Sequence, residues 1–187
     1  VAGAEALGAH DRGGLEVLDC SLEEFEQRLT MENHTLKRSL TDPRLFSGIG
    51  NAYSDEILHA ARLSPIRQSQ KLSSNDIARL REASIETLTR WRTTLLEMFQ
   101  TRFPDSGDIT AFRDDFAVHG RYGKPCPECG DPVQRIRYAE NETNYCATCQ
   151  TDGRLLADRS LSKLLKADWP RSLDEMEDRL ASGKRSK

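Results

Sequence analysis

Residues 126–149 read CPECGDPVQRIRYAENETNYCATC, and this stretch decides the fold of the C-terminal part of the chain. Cys126 and Cys129 form one C-x-x-C pair, and Cys146 and Cys149 form a second pair after sixteen intervening residues. Each pair can turn two thiolates toward a single metal ion. Four sulfur ligands complete a tetrahedral site and leave no position for water or substrate. The pattern therefore predicts one structural Zn²⁺ ion.

Two other interpretations of these cysteines are a redox-active dithiol pair and two disulfide bonds. Paired C-x-x-C motifs at this separation are typical of zinc ribbons, whereas a lone C-x-x-C is not specific, so the spacing favours zinc. Zinc binding would stabilise a segment too short to form its own hydrophobic core. The fifth cysteine, Cys20, has no obvious partner, and we assign it no role.

A β-hairpin is predicted between the two cysteine pairs. One strand would run from Val133 to Tyr138 and the other from Thr143 to Cys146, with a polar turn at residues 140–142. The rest of the chain reads as mainly α-helical. We expect four segments: a linker from a missing N-terminal domain at 1–20, a helical domain at 21–120, the zinc ribbon at 121–155, and a helical extension with a tail at 156–187.

Capping boxes mark two of the predicted helices. Ser21 and Glu24 open the first helix, and its apolar positions Leu22, Phe25 and Leu29 would share a buried face.

The other helices follow from apolar spacing and from glycine and proline positions. A short helix is predicted at 35–40, and a further helix with Asn51 as its N-cap would end near residues 64–65. A long amphipathic helix, opened by a capping box at residues 73–76, would run to about Phe103. Shorter helical patterns occupy 110–116, 156–166 and 172–180.

Charge is unevenly distributed along this chain of formal net charge −3. Residues 121–166 carry eight Lys and Arg against six Asp and Glu, whereas residues 1–120 carry fourteen against nineteen. Any contact with nucleic acid would therefore use a local set of basic side chains. No apolar run has the length of a membrane span, and the first residues do not form a secretory signal. We expect a cytoplasmic protein with no membrane partner.

The turn Gly48-Ile49-Gly50-Asn51 is a candidate anion site because it leads into a helix. Backbone N–H groups and the positive end of the helix dipole would point outward there, and phosphate would fit. The alternative is a plain interhelical turn with Asn51 as a cap. Short glycine motifs are weak signals, so the turn by itself favours that alternative.

Considered together, the helical and zinc-ribbon motifs resemble the formamidopyrimidine-DNA glycosylase and endonuclease VIII family. The resemblance covers nearly all of residues 7–166. It rests on a helix-two-turn-helix motif at about 35–60 that contains Gly-Ile-Gly-Asn-Ala-Tyr-Ser-Asp-Glu-Ile-Leu, on His-Gly-Arg-Tyr-Gly-Lys-Pro-Cys at 119–126, and on Tyr-Cys-Ala-Thr-Cys-Gln at 145–150. It implies that 21–120 is a helix-two-turn-helix DNA-binding domain.

The resemblance also implies a function and a set of contacts. In this family the helical motif and the zinc hairpin together hold the phosphates around a damaged nucleotide, which is flipped out of the duplex. The expected partner is double-stranded DNA with a damaged base or an abasic site. The implied DNA-binding residues are Arg44, Gly48, Gly50, Asn51, Arg121, Arg135, Arg137, Asn141 and Arg154.

One departure from the family concerns the hairpin tip. Family members usually carry an arginine five residues before the third cysteine, and Asn141 occupies that place here, between Glu140 and Glu142. Acidic neighbours would repel phosphate. The hairpin would then contact DNA differently, through Arg135, Arg137 or Arg154, or the lesion preference would differ; these arginines could equally be solvated.

A second departure concerns catalysis. The family nucleophile is an N-terminal proline amine, followed by a catalytic glutamate, on a separate N-terminal domain. This chain starts with Val1, and its first proline is Pro43. The Val1 amine could form a Schiff base in principle, but no domain would position it. We assign no catalytic residue and expect DNA binding more than cleavage.

Two further hypotheses remain open. One is a stand-alone nucleic-acid-binding module without catalytic activity, because a similar ribbon closes some isoleucyl-tRNA synthetases. The other is a zinc-stabilised structural domain with no nucleic-acid partner, which the negative charge of residues 1–120 favours. For the glycosylase hypothesis we expect a monomer of bacterial type associated with the nucleoid.

Overall fold

The computed structural model describes residues 11–106, 108, 113–138, 141–157, 170–176 and 178. Residues 113–116 of the predicted helix at 110–116 are described and form a turn, so that prediction is wrong for them. The predicted helix at 156–166 lies largely outside the described residues, as do residues 1–10 and the predicted tail. The described part is mainly α-helical with one small antiparallel hairpin, as predicted. None of its helices is both long enough and apolar enough to span a membrane.

The elements are bounded as follows. The helices are α1 (Leu22–Thr30), α2 (Leu36–Thr41), α3 (Asn51–Ala60), α4 (Ser74–Met98) and α5 (Ala147–Thr151), with a 3-10 turn at Ser69–Lys71; the strands are β1 (Gln134–Tyr138) and β2 (Asn141–Tyr145).

Helix α1 begins with the predicted capping box. The Ser21 hydroxyl accepts from the Glu24 N–H at 3.2 Å, and the Glu24 carboxylate accepts from the Ser21 N–H at 2.8 Å. Phe25 and Leu29 are fully buried. The prediction for Leu22 is wrong, since its side chain is 42% exposed. Leu22 lies in the first turn, and the buried face of α1 begins only at Phe25.

Helix α3 differs from its prediction at both ends. Gly50, and not Asn51, is its N-cap, and no side chain caps it. The helix ends at Ala60 because Arg62 adopts a left-handed φ of 52°. The N–H groups of Arg62 and Leu63 then bond to the carbonyls of His59 and Leu58, which forms a Schellman motif.

Helix α4 is the longest element, and its capping box of Ser73 and Asp76 is confirmed. The predicted end near Phe103 is wrong, because the helix ends at Met98. Trp91 is the last buried residue of the helix, and Met98 is 51% exposed. The final turns therefore lack the tertiary packing that supplies most helix stability in proteins.

The main core lies between α1, α2, α3 and the first half of α4. The rings of Phe25 and Phe46 pack against each other within it in a tilted arrangement, with centroids 5.0 Å apart. Part of the predicted linker also packs here, since Val17 and Cys20 are buried in the same cluster. Gly14 permits that approach, because a Cβ atom there would lie 2.5 Å from the carbonyl oxygen of Pro43.

The hairpin pairs β1 with β2 in antiparallel register, from Gln134 opposite Tyr145 to Tyr138 opposite Asn141. The predicted turn at residues 140–142 is therefore too long, because Asn141 and Glu142 belong to the ladder. Only residues 139–140, which lie outside the described part, separate the paired positions. Helix α5 follows directly and was not predicted; the Cys146 sulfur caps it by accepting from the Cys149 N–H.

Candidate functional site

Four cysteine sulfurs converge where the hairpin meets the first C-x-x-C turn, the knuckle formed by Cys126 and Cys129. The Sγ atoms of Cys126, Cys129, Cys146 and Cys149 all lie within 4.8 Å of one another. The Cys129 and Cys146 sulfurs are 3.4 Å apart, and those of Cys126 and Cys149 are 3.9 Å apart. Zn–S bonds of about 2.3 Å in a tetrahedron place sulfurs roughly 3.8 Å apart, so the cluster has the right size for one zinc ion.

The same cluster excludes disulfide bonds, because all five cysteines of the chain are free. Burial raises the pKa of the Cys149 thiol to about 12 and raises the pKa of the Cys146 thiol further. Four thiolates at this spacing require a cation to offset burial and mutual repulsion. A divalent metal provides that charge.

Helix α3 packs against one side of the four-cysteine cluster. The ring Nε2 of His59 lies 3.3 Å from the Cys126 sulfur, and both side chains are buried. Gln150 accepts from the Cys146 N–H at 2.8 Å and donates to the Leu63 carbonyl at 2.9 Å. The ribbon is therefore attached to the C-terminal end of α3.

Asp55, in the middle of α3, connects three other segments. Its carboxylate is buried and lies 2.6 Å from the Lys37 ammonium on α2. The other oxygen accepts from His119 Nδ1 at 2.8 Å and from the Asn144 backbone N–H on β2 at 3.1 Å. Burial lowers the pKa of Lys37, and the Asp55 charge opposes that shift. A single carboxylate thus connects α2, the hairpin and the loop around His119 that enters the ribbon, which we call the ribbon entry.

Glu56 performs a similar role next to Asp55. Its carboxylate accepts from the backbone N–H groups of Ala117, Val118 and His119 at 2.7 to 2.9 Å. This side chain is buried, so three charge-assisted hydrogen bonds replace its water. The loop that enters the ribbon is held against α3 by these bonds.

The predicted anion turn lies at the opposite end of α3. Gly48 has a φ of +73°, which favours glycine, whereas Gly50 has an ordinary φ of −97°. The first N–H groups of α3 have no side-chain cap, so they are available to an external acceptor. Asn51 donates from Nδ2 to the Glu142 carbonyl on β2 at 3.1 Å. Asn51 therefore joins the turn to the hairpin and does not cap the helix.

A groove of about 880 Å³ opens between this turn, α2 and the hairpin. Its lining includes Gly50 and Asn51 from the turn and Thr143 from β2. The ionisable residues that line it are all basic or histidine, namely His34, Lys37, Arg38 and Arg137. No aspartate or glutamate lines it, so within the described part this groove is suited to an anion.

The remaining predicted contacts lie elsewhere or are already paired. Arg44 forms a two-bond fork with Asp42 and does not line the groove, and this pairing holds the pKa of Asp42 at about 2. Arg121 points at the carbonyls of Asp114 and Pro125, both 3.4 Å away. Arg154 is exposed after α5 and also lies outside the groove lining.

The hairpin residues lie beside the groove. Arg135 and Arg137 extend from β1, and both contact the carboxylate of Glu142 on β2, at 3.2 and 3.3 Å. The Asn141 backbone pairs with Tyr138 at the end of the ladder. Arg137 lines the groove together with Asn51. Asn141 does not line it and lies at the tip of the hairpin.

Several functional residues were missed by sequence reasoning. The apolar run that begins at Ile57 directly after Asp55 and Glu56 offered one signal, since two acids next to buried residues require partners. No comparable signal identified His59 or Lys37. Their partners lie 67 and 18 residues away in the chain.

Two protein families match the chain. The family described as "Formamidopyrimidine-DNA glycosylase H2TH domain" matches residues 16–93, and "Zinc finger found in FPG and IleRS" matches residues 123–151. The second match covers all four cysteines. Together with their geometry, it shows that they hold one structural zinc ion.

Curated relatives extend this similarity. An "Uncharacterized formamidopyrimidine-DNA glycosylase-like protein" of Mycobacterium tuberculosis is 39% identical over 153 residues, which cover 82% of this chain and 94% of the relative. The formamidopyrimidine-DNA glycosylase of Thermus thermophilus is 43% identical over 133 residues, covering 69% of this chain and 49% of the relative. That of Herpetosiphon aurantiacus is 36% identical over 136 residues, covering 71% and 48%. The chain spans about half the length of these two enzymes.

Solved structures show the same fold. The MutM (Fpg) protein of Thermus thermophilus aligns with a TM-score of 0.60 at 35% identity, over 73% of this chain and 53% of that one. The Lactococcus lactis Fpg in complex with DNA containing an abasic site aligns with a TM-score of 0.65 at 25% identity, over 79% and 55%.

Proposed function

The chain belongs to the formamidopyrimidine-DNA glycosylase family, and from that membership we propose that it is the part of a base-excision-repair glycosylase and abasic-site lyase that grips damaged DNA. The observation that carries the proposal is the groove beside Asn51. Its ionisable lining is basic or histidine, and it opens at the uncapped N-terminus of α3. A DNA phosphate would supply acceptor oxygens to the uncapped N–H groups of α3 and would compete for Lys37 and Arg137, which otherwise contact Asp55 and Glu142.

We assign residues 35–60, which contain α2, the turn and α3, to the helix-two-turn-helix element. The N–H groups of Gly50 and Asn51 would hold one phosphate, and the hairpin arginines would approach the strand from the other side of the groove. The spacing of these two contacts is fixed by α3, because Asp55 and Glu56 bind the hairpin and the ribbon entry. The ligand would be duplex DNA with an abasic site or a flipped-out damaged base.

We further propose that this stretch of the protein supplies the clamp and no catalytic group. Attack at C1′ and strand elimination would be performed by other residues of the family's enzymes. The protein would act as a monomer on the bacterial nucleoid, which the bacterial origin of its relatives supports.

A stand-alone DNA-binding module without catalytic activity is the second candidate. The Mycobacterium tuberculosis relative favours it, because the match covers 94% of that protein. Both candidates require the same DNA grip, and they differ in whether catalysis belongs to the same polypeptide.

DNA binding is the first expected result. The 187-residue chain should bind a duplex with one abasic-site analogue, with an affinity that falls steeply with salt because binding releases counterions. About three phosphate contacts predict roughly a 40-fold loss between 50 and 200 mM salt. Fluorescence anisotropy of a labelled duplex measures this. Absence of binding at low salt would support the purely structural domain.

Asn51→Ala should weaken this binding by roughly 2- to 10-fold, because it removes the neutral side-chain hydrogen bond that joins the turn to the hairpin and keeps the backbone N–H groups. Asn75→Ala is the matched control, since Asn75 is exposed on α4 and outside the groove. Zinc content should be unchanged in both variants. Equal affinity of Asn51→Ala and the parent chain would show that the link from the Asn51 side chain to the hairpin does not contribute to DNA binding.

Borohydride trapping on the same abasic duplex tests the absence of catalysis. We expect binding without a covalent adduct, because we assign no catalytic residue to this stretch. A trapped adduct would show that an amine of this chain, Val1 or a lysine, acts as a nucleophile. The chain would then be an enzyme by itself.

A further inference from the structure

Glu142 is the residue on which the hairpin donors converge. One of its carboxylate oxygens, Oε2, lies 3.2 Å from an Arg135 nitrogen and 3.3 Å from Nε of Arg137. Its backbone carbonyl accepts the Nδ2 hydrogen bond of Asn51. Three groups expected to face DNA therefore bind one acidic residue when DNA is absent.

The ion pairs at Glu142 are accessible to a competing anion. The side chains of Arg135, Arg137 and Glu142 are 31%, 63% and 28% exposed. Partly exposed ion pairs of this kind contribute little to stability, so a phosphate oxygen can displace the carboxylate. The carboxylate charge remains close to any phosphate bound there, and like charges at this range repel each other.

We propose that Glu142 sets the DNA affinity of this protein by competing with phosphate for the hairpin arginines. The proposal rests on the DNA grip proposed above and names a residue that limits it. Arg135 is held independently of Glu142, because its guanidinium lies 4.1 Å from the ring centroid of Tyr122. Removing the charge of Glu142 should therefore leave the Arg135 guanidinium in place for a phosphate.

Glu142→Gln tests this proposal, since it removes the charge and keeps the shape of the side chain. The Asn51 contact should persist, because it uses the backbone carbonyl of residue 142. We expect affinity for the abasic duplex to rise roughly 3- to 10-fold at 100 mM salt, the scale of a released surface ion pair. The slope of log affinity against log salt should steepen by about 1, since about one more phosphate is neutralised.

Glu82→Gln is the matched control, because Glu82 is exposed on α4, lies outside the groove, and carries the same charge. It should change affinity by less than about 2-fold, as a distant screened charge does. Combining Arg135→Gln with Glu142→Gln should remove most of the gain. Retained zinc content and unchanged unfolding midpoints show that each variant is folded.

The outcomes separate this inference from the function on which it rests. If the parent chain binds DNA with a steep salt dependence and Glu142→Gln binds equally or more weakly, Glu142 does not compete with phosphate and the inference is overturned. If neither protein binds at low salt, the proposed DNA grip fails and the inference fails with it. Tighter binding by Glu142→Gln, with no gain in Glu82→Gln, supports both.

Discussion

Replacing Cys126 by serine is expected to abolish zinc binding and unfold the ribbon. A neutral hydroxyl cannot replace a thiolate ligand, and the hydrophobic cluster around the metal site is small. The buried residues around the first knuckle are two of the cysteines with Val118 and Val133. Structural zinc contributes about 10 to 16 kcal/mol of apparent binding energy in zinc-finger peptides, far more than so small a cluster.

The helical core should survive this change, because its buried cluster consists of residues from 17 to 83. Cys20→Ser is the control: the Cys20 thiol lies in that core, donates to the Val17 carbonyl at 3.3 Å, and has no part in the metal site. Zinc stoichiometry by mass spectrometry of the native protein, with circular dichroism, distinguishes the variants. A full equivalent of zinc in Cys126→Ser would contradict the four-sulfur site.

The parts of the fold that sequence reasoning predicted depend on residues close together in the chain. The capping boxes at Ser21 and Ser73 span four residues, and each pair of zinc ligands is a C-x-x-C turn. The contacts that stabilise these motifs form between residues only a few positions apart, so the sequence alone predicts them. The predicted N-cap role of Asn51 failed because a partner 91 residues away accepts its amide hydrogen.

The electrostatics of the candidate site were harder to predict than its metal ligands. Residues 1–120 carry nineteen acids against fourteen bases, which argues against a polyanion partner. The structure places two of these acids, Asp55 and Glu56, inside the molecule as hydrogen-bond acceptors. None of the other acids that the structure describes lines the groove. The net charge of a segment therefore does not predict the charge of one surface, because the fold determines which residues lie on that surface.

Asp55→Asn is expected to destabilise the protein by about 3 to 5 kcal/mol, the cost of breaking a buried ion pair from one side. The amide keeps the size of the side chain but presents N–H groups to donors from Lys37, His119 and Asn144. Urea unfolding measures the loss. Asp19→Asn is the control, since Asp19 is exposed, and surface changes usually stay within about 0.5 kcal/mol.

DNA affinity should fall together with stability in Asp55→Asn, even under conditions where the variant is still folded. Asp55 accepts from the Asn144 backbone on β2, so its loss frees the hairpin from the anion turn. Adding Lys37→Met removes the uncompensated cation and should restore part of the stability. It should not restore the DNA affinity, because the link to the hairpin stays broken. Recovery of both properties would show that Asp55 acts only by neutralising Lys37.

The stability loss in Asp55→Asn should also depend on pH. Burial lowers the pKa of Lys37 in the folded protein, and Asp55 opposes this shift, so the pKa falls further when the carboxylate is removed. Between that folded-state pKa and the unfolded value of about 10.4, the unfolded chain binds more protons, so the free energy of unfolding rises with pH. The deficit of Asp55→Asn relative to the parent should therefore be largest at neutral pH and shrink toward pH 10. Urea unfolding of both proteins at pH 7 and pH 9.5 measures it. A constant deficit would mean that Lys37 loses no stabilisation from Asp55, and that the carboxylate acts only through His119 and Asn144.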